Sequence, residues 1–148
     1  NGVPPTNKPG NPKQLDYLLV NNEGNNSNTD SLFVSVIEPY TGNPNIVSSE
    51  VVKVTENGKE VTDTGTRAVK VTFVNGRTDY IVYSADTTRK LSVADLFDFQ
   101  GFFGVYSVRD GEVTTYVNDG VLIDKKTYTD RYTGKVVTFT KELSTMRS

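Results

Sequence analysis

After residue 14, apolar and polar positions alternate with a period near two, in short runs broken by Gly, Asn, Asp and Pro. That period sends successive side chains to opposite faces of a strand, whereas a helix needs about 3.6. LDYLLV (15–20) predicts a first strand and NNEGNNSNTD (21–30) a long polar loop. SLFVSVIEP (31–39) predicts a strand covered on both sides: Phe33, Ser35 and Ile37 point one way, Leu32, Val34 and Val36 the other. TGNPN (41–45) reads as a turn, IVSSEVVKVT (46–55) as the next strand, and Asn57-Gly58 as the turn after it.

The clearest hairpin is AVKVTFV-NG-RTDYIVYS, residues 68–84. Asn-Gly is the preferred pair for a two-residue type I′ loop. Such a loop sets Phe73 opposite Thr78, Val71 opposite Tyr80 and Val69 opposite Val82, and predicts these for the core. Lys70, Thr72, Ile81 and Tyr83 then share the reverse face. Asp110-Gly111 predicts a second hairpin, with Val108 opposite Val113 and Tyr106 opposite Thr115, and Val117 on the same side. Its reverse face holds Phe103, Val105, Ser107, Thr114 and Tyr116. Asp119-Gly120 and Thr133-Gly134 read as further turns, between strands near 121–123, 127–132 and 135–141. Phe97, Phe99 and Phe102 are assigned to the core. Gly101 and Gly104 between them predict a bulge or a close backbone approach. SVADLF (92–97) predicts one short helical turn capped by Ser92.

Nine or ten strands joined by tight turns predict an all-β domain over residues 15–143, a two-sheet antiparallel β-sandwich of jelly-roll or Ig-like type. A barrel is the alternative. Residues 1–14, with four prolines and two glycines, read as a linker, and residues 144–148 as a polar tail. Composition agrees: 21 valines and 19 threonines stand against three alanines, and β-branched residues suit a pleated surface. A chain of 148 residues can bury one core without disulfides or a structural metal. No signal peptide is visible at Asn1, so the sequence is expected to be mature, trimmed, or a module of a longer protein.

Charge and chemistry narrow the function. The net charge is −2, with no basic footprint for a nucleic-acid backbone, and no run reaches the ~20 apolar residues of a membrane span. Without His or Cys, the usual base for a nucleophile and the thiolate chemistry are both missing. Asp95, Asp98, Asp110, Glu112 and Asp119 cluster in sequence as a glycosidase pair would, but Asp in β domains favours turns. Any of the eight tyrosines could serve as a lyase base only if cations lowered its pKa, and no Lys/Arg cluster converges on one. The loop at 21–30 has oxygen ligands but not the spaced Asp pattern of a calcium loop, so it reads as solvated. No cofactor is expected, with a structural calcium the one exception that loop leaves open. Tyr83 and Tyr116, facing away from the core, suit stacking on a sugar ring, with Lys70 beside Tyr83, and Arg109 and Arg131 elsewhere, to meet carboxylates or sulfates. The competing reading buries the same apolar face against another domain.

SLFVSVIEPYTG (31–42), GRTDYIVYS (76–84) and FDFQGFFGVYSVRDG (97–111) resemble, in that order, the C-terminal β-rich region of bacterial heparinase II/III-like polysaccharide lyases. The resemblance spans about residues 15–123 and rests on strand residues. Those enzymes pair a helical toroid with antiparallel β domains and cleave acidic polysaccharides by β-elimination, with His and Tyr catalysts drawn mostly from the toroid and the adjoining sheet. No catalytic position carries over here. The resemblance implies a secreted accessory β-domain, not itself an enzyme, with an acidic polysaccharide and the parent's catalytic domain as partners. A purely structural domain that binds no sugar, or an Ig-like adhesion module, remains the alternative.

Overall fold

A computed structural model describes Pro9, Val20, residues 30–124 and the backbone of residues 126–139. The chain divides into two compact units, Asn1–Val34 and Ser35–Ser148. The second carries β1 (Ile46–Val52), β2 (Val54–Glu56), β3 (Lys59–Glu60), β4 (Thr66–Phe73), β5 (Thr78–Ser84), β6 (Leu91–Val93), β7 (Phe97–Arg109), β8 (Glu112–Ile123) and β9 (Lys126–Phe139). The described residues contain no helix. The all-β, antiparallel expectation is met. All nine strands join in one sheet curled into a half-barrel, where two separate sheets were expected.

The long β7 organises this sheet. β8 takes one of its edges. Along the other edge lie two wings, β6-β2-β3 on the first part of β7 and β5-β4-β1 on the second. β1 and β2, consecutive in sequence, sit on different wings, separated only by Lys53. The sheet must therefore curl until the wings meet. The core fills the concave side, with Val54, Leu91 and Val93 from one wing, Ala68 and Val82 from the other, and Phe97, Phe99, Tyr106, Val117 and Ile123 from β7 and β8. Phe99 is fully buried, and its ring occupies space that a side chain at Gly104 would need.

The Asp110-Gly111 hairpin forms as predicted. Val108 faces Val113, Tyr106 faces Thr115, and both turn residues have the positive φ of a type I′ turn (51° and 81°). Asn57-Gly58 makes the same turn between β2 and β3. The Asn75-Gly76 hairpin does not. Phe73 and Arg77 close a three-residue loop, the Gly76 amide donates to the Phe73 carbonyl, and the Asn75 side chain accepts from the Arg77 amide. Only Gly76 of the pair is left-handed. The extra loop residue shifts the register by one, so Ala68 faces Val82 and Lys70 faces Tyr80. Such a slip exchanges the faces of a strand. Val69 and Val71 are buried as expected, but on the outer face and outside the main core cluster, while Phe73 beside them is only half-buried and Lys70 and Thr72 take the concave face.

Four other expectations change. Residues 31–39 form no strand, and Phe33, Val34, Val36 and Ile37 are exposed, Ile37 at 86%. The segment at 92–97 is the end of β6 and a tight turn in which Ala94 and Asp95 both have positive φ, so no cap is used. Asp119-Gly120 and Thr133-Gly134 are register shifts inside unbroken strands, because their neighbours on both sides stay paired. Phe102 is 42% exposed, not core. The predicted strand at 15–20, save Val20, and the loop at 21–29 lie outside the described residues.

Candidate functional site

The outer face is read from the ladders. Arg67, Tyr83, Phe103 and Asn118 line up across β4, β5, β7 and β8. The next row on this face is Val69, Ile81, Val105 and Tyr116, and the third is Val71, Asp79, Ser107 and Thr114. Tyr83 meets Phe102 edge to face at 5.2 Å, and Phe103 meets Tyr116 in the same way at 6.3 Å. These rings form an aromatic ridge across three strands, about 10 Å wide at the usual ~4.8 Å strand spacing. Tyr83, Phe103 and Tyr116 are half-buried, and Phe102 stands proud. The Tyr116 hydroxyl accepts a long hydrogen bond from Asn118 (3.5 Å).

Gly101 and Gly104 shape the ridge from behind. A Cβ on Gly104 would lie 2.6 Å from the Phe99 ring, and one on Gly101 would lie 2.8 Å from Gly120 Cα. The register shift between Gln100 and Gly101 is the predicted bulge, next to the position where β7 presents Phe102 and Phe103.

Of the residues nominated from sequence, Tyr83 and Tyr116 come together through the Phe102–Phe103 pair. Lys70 does not join them. It lies on the opposite face and donates to Glu50 at 2.9 Å, and that hydrogen bond raises its pKa. Arg109 shares the outer face but sits at the hairpin tip against Asp110 (3.5 Å), about 13 Å along the strand from the row of Tyr116. Arg131 belongs to β9, and its side chain lies outside the described residues. The register puts Arg67, not Lys70, across from Tyr83. The same face also carries Arg77, stacked 4.1 Å above the Phe73 ring. Arg77 Nε lies 3.2 Å from Asp79 Oδ1 without a hydrogen-bond geometry, and Asp79 Oδ1 accepts from Ser107 at 2.5 Å.

Of the clustered acids, Asp95 and Asp110 sit in turns and Asp119 at a register shift inside β8, all three with positive φ, where short Asx side chains are tolerated. Asp95, Asp98 and Asp124 border one shallow cleft, but no metal-holding group of acids occurs among the described residues. Burial raises the pKa of Tyr106, packed flat on Phe97 at 4.6 Å, which is opposite to what a tyrosine base requires.

No protein-family model, no characterised protein and no solved structure matches the chain.

Proposed function

We propose that this chain is a non-catalytic accessory β-module that binds carbohydrate, of the acidic polysaccharide class, as part of a secreted bacterial polysaccharide lyase. We read its two wings as the two layers of a sandwich joined through β7 and β8. The observation that carries the binding role is the sharing of one outer face by Tyr83, Phe102, Phe103 and Tyr116. Ring faces and edges of this kind take the C–H surface of a pyranose, and the phenolic oxygens take its hydroxyls. Turn-bound acids, the missing histidine and the raised Tyr106 pKa favour a module without proton-transfer chemistry. A module tethered to its enzyme works by avidity, so the isolated chain binds weakly.

Affinity electrophoresis through gels holding alginate, hyaluronan, heparin or a neutral glucan tests this reading. The chain is retarded by at least one acidic gel, and Tyr83→Ala and Tyr116→Ala each weaken that retardation about tenfold, the scale of one lost aromatic contact. Unaltered mobility in every gel removes the binding role. An unsaturated uronate product released by the isolated chain removes the non-catalytic one. A second reading, in which this face packs on the catalytic domain and binds no sugar, is favoured by the apolar surface left accessible on it, Phe102 at 42% with the half-buried Ile81 and Val105. Mobility unchanged by all glycans, with a stable complex formed on adding the catalytic domain, selects it.

A further inference from the structure

The geometry points to Arg67, with Lys53 beside it, as the anion-recognising end of the aromatic ridge, the place where a sugar carboxylate or sulfate is held while the neighbouring ring stacks on Tyr83. This inference rests on the carbohydrate-binding reading and adds to it the residues that would select charge. Three observations carry it. Arg67 is the direct cross-strand neighbour of Tyr83 on the outer face, so the backbones of the two residues lie about 5 Å apart. Its Nη1 donates to the carbonyls of Asp63 and Thr66, at 2.9 Å each, which fixes the group in place. Among the described residues no carboxylate forms an ion pair with it, whereas Arg77 and Arg109 each have one and Arg89 has two.

Lys53 supplies the second charge. The β1–β4 ladder ends at Val52 opposite Ala68, so the next position, Lys53, lies level with Arg67. Both line a cleft of about 290 Å³ between the β1–β2 crossing and the start of β4. Lys53 is held by an exposed Asp95 at 3.6 Å, a contact weak enough for a ligand to replace. Glu60 also lines the cleft, and Asp63 lies near enough to feel the Arg67 charge; Asp63 is already bonded to Arg89 at 2.8 Å. An arginine fork matches carboxylate and sulfate oxygens in pairs.

Affinity electrophoresis of the full chain decides it, with alginate (carboxylate alone), dextran sulfate (sulfate alone), heparin (both) and uncharged dextran in separate gels. Arg67→Gln weakens retardation by the acidic gels about tenfold and leaves uncharged dextran unchanged, while Arg67→Lys restores part of the loss. The carboxylate and sulfate gels show which anion is read. Equal retardation of wild type and Arg67→Gln overturns the inference and leaves the binding role standing. No retardation of wild type in any gel overturns both. If Arg67→Gln melts early, Lys53→Gln and a salt series on wild type take its place. Acidic binding then falls from about 50 to about 500 mM salt as charges are screened; salt-independent binding overturns the inference.

Discussion

Phe99 keeps its place because Gly104 leaves a space beneath its ring. A Cβ there would come within 2.6 Å of one ring carbon and 2.9 Å of another, and the ring, fully buried, cannot retreat. Gly104→Ala is expected to cost about 1–3 kcal/mol through overpacking, read as a lower urea midpoint with an unchanged slope. Phe99→Ala is expected to cost about 3–5 kcal/mol. The need for small residues at 101 and 104 was legible in the spacing of glycines among phenylalanines. The outward tyrosines were legible too, because Tyr83 and Tyr116 alternate against the core valines Val82 and Val117. Lys70 misled, since its face depends on a loop that takes in Val74 as a third residue, closed by the Phe73–Arg77 and Gly76–Phe73 backbone bonds and by the Arg77 amide on Asn75. Phe102 misled as well: the burial of Phe97, Phe99 and Gly101 resumes one residue out of phase at Gly104 and Tyr106, which leaves Phe102 and Phe103 both outside the core.

At the scale of elements, that loop decides which side chains of β4 face the concave core cluster. Both faces of AVKVTF carry apolar residues, so hydrophobic pattern alone does not choose between them. Phe73 donates to the Arg77 carbonyl, so Thr72–Thr78 and Lys70–Tyr80 are non-hydrogen-bonded pairs with close Cα atoms. A strong nuclear Overhauser contact between the Hα protons of Lys70 and Tyr80 is the expected outcome. One between Val71 and Tyr80 would restore the two-residue turn. Asp-Gly proved a sound turn signal at 110–111, where both sides could pair as a hairpin, and a poor one at 119–120, where β8 stays paired to β7 and β9 on both sides. A dipeptide that permits a left-handed backbone serves a bulge as readily as a turn.

At the scale of the molecule, the two wings are fastened by Arg89. Its guanidinium meets Glu56 of β2 at 2.9 Å, Asp63 at 2.8 Å and the Thr66 hydroxyl of β4 at 3.2 Å. Arg89→Gln is expected to lower stability by about 1–2 kcal/mol, the low part of the range for charged hydrogen bonds because both acids are partly hydrated. Arg89 holds the Asp63 carboxyl below its ordinary value of 3.8. Protons therefore go first to the unfolded chain as the pH falls. The gap between wild type and Arg89→Gln is constant above pH 3.8 and closes as the pH drops through the folded value. Urea midpoints from pH 7 down to about 2 check this; a gap that widens in acid contradicts it. The all-β class was legible from β-branched composition and period-two runs. The joining of all strands in one sheet was not, because strand partners far apart in sequence leave no local pattern.

Lys53 alone carries the chain across the first of its three passages between the wings, and its side chain is 52% exposed. That residue is thus a hinge-pin and a trypsin site at once. A nick there would leave β1 held by its ladder to β4 and the Lys70–Glu50 pair, and β2 by its ladders to β6 and β3 and the Arg89–Glu56 pair. The folded protein resists such cutting, since the Lys53 carbonyl is bound to the Ala94 amide at 2.8 Å and the link must come free before a protease can seat it. Cleavage after Lys53 therefore serves as a clock for how often the curled sheet springs open.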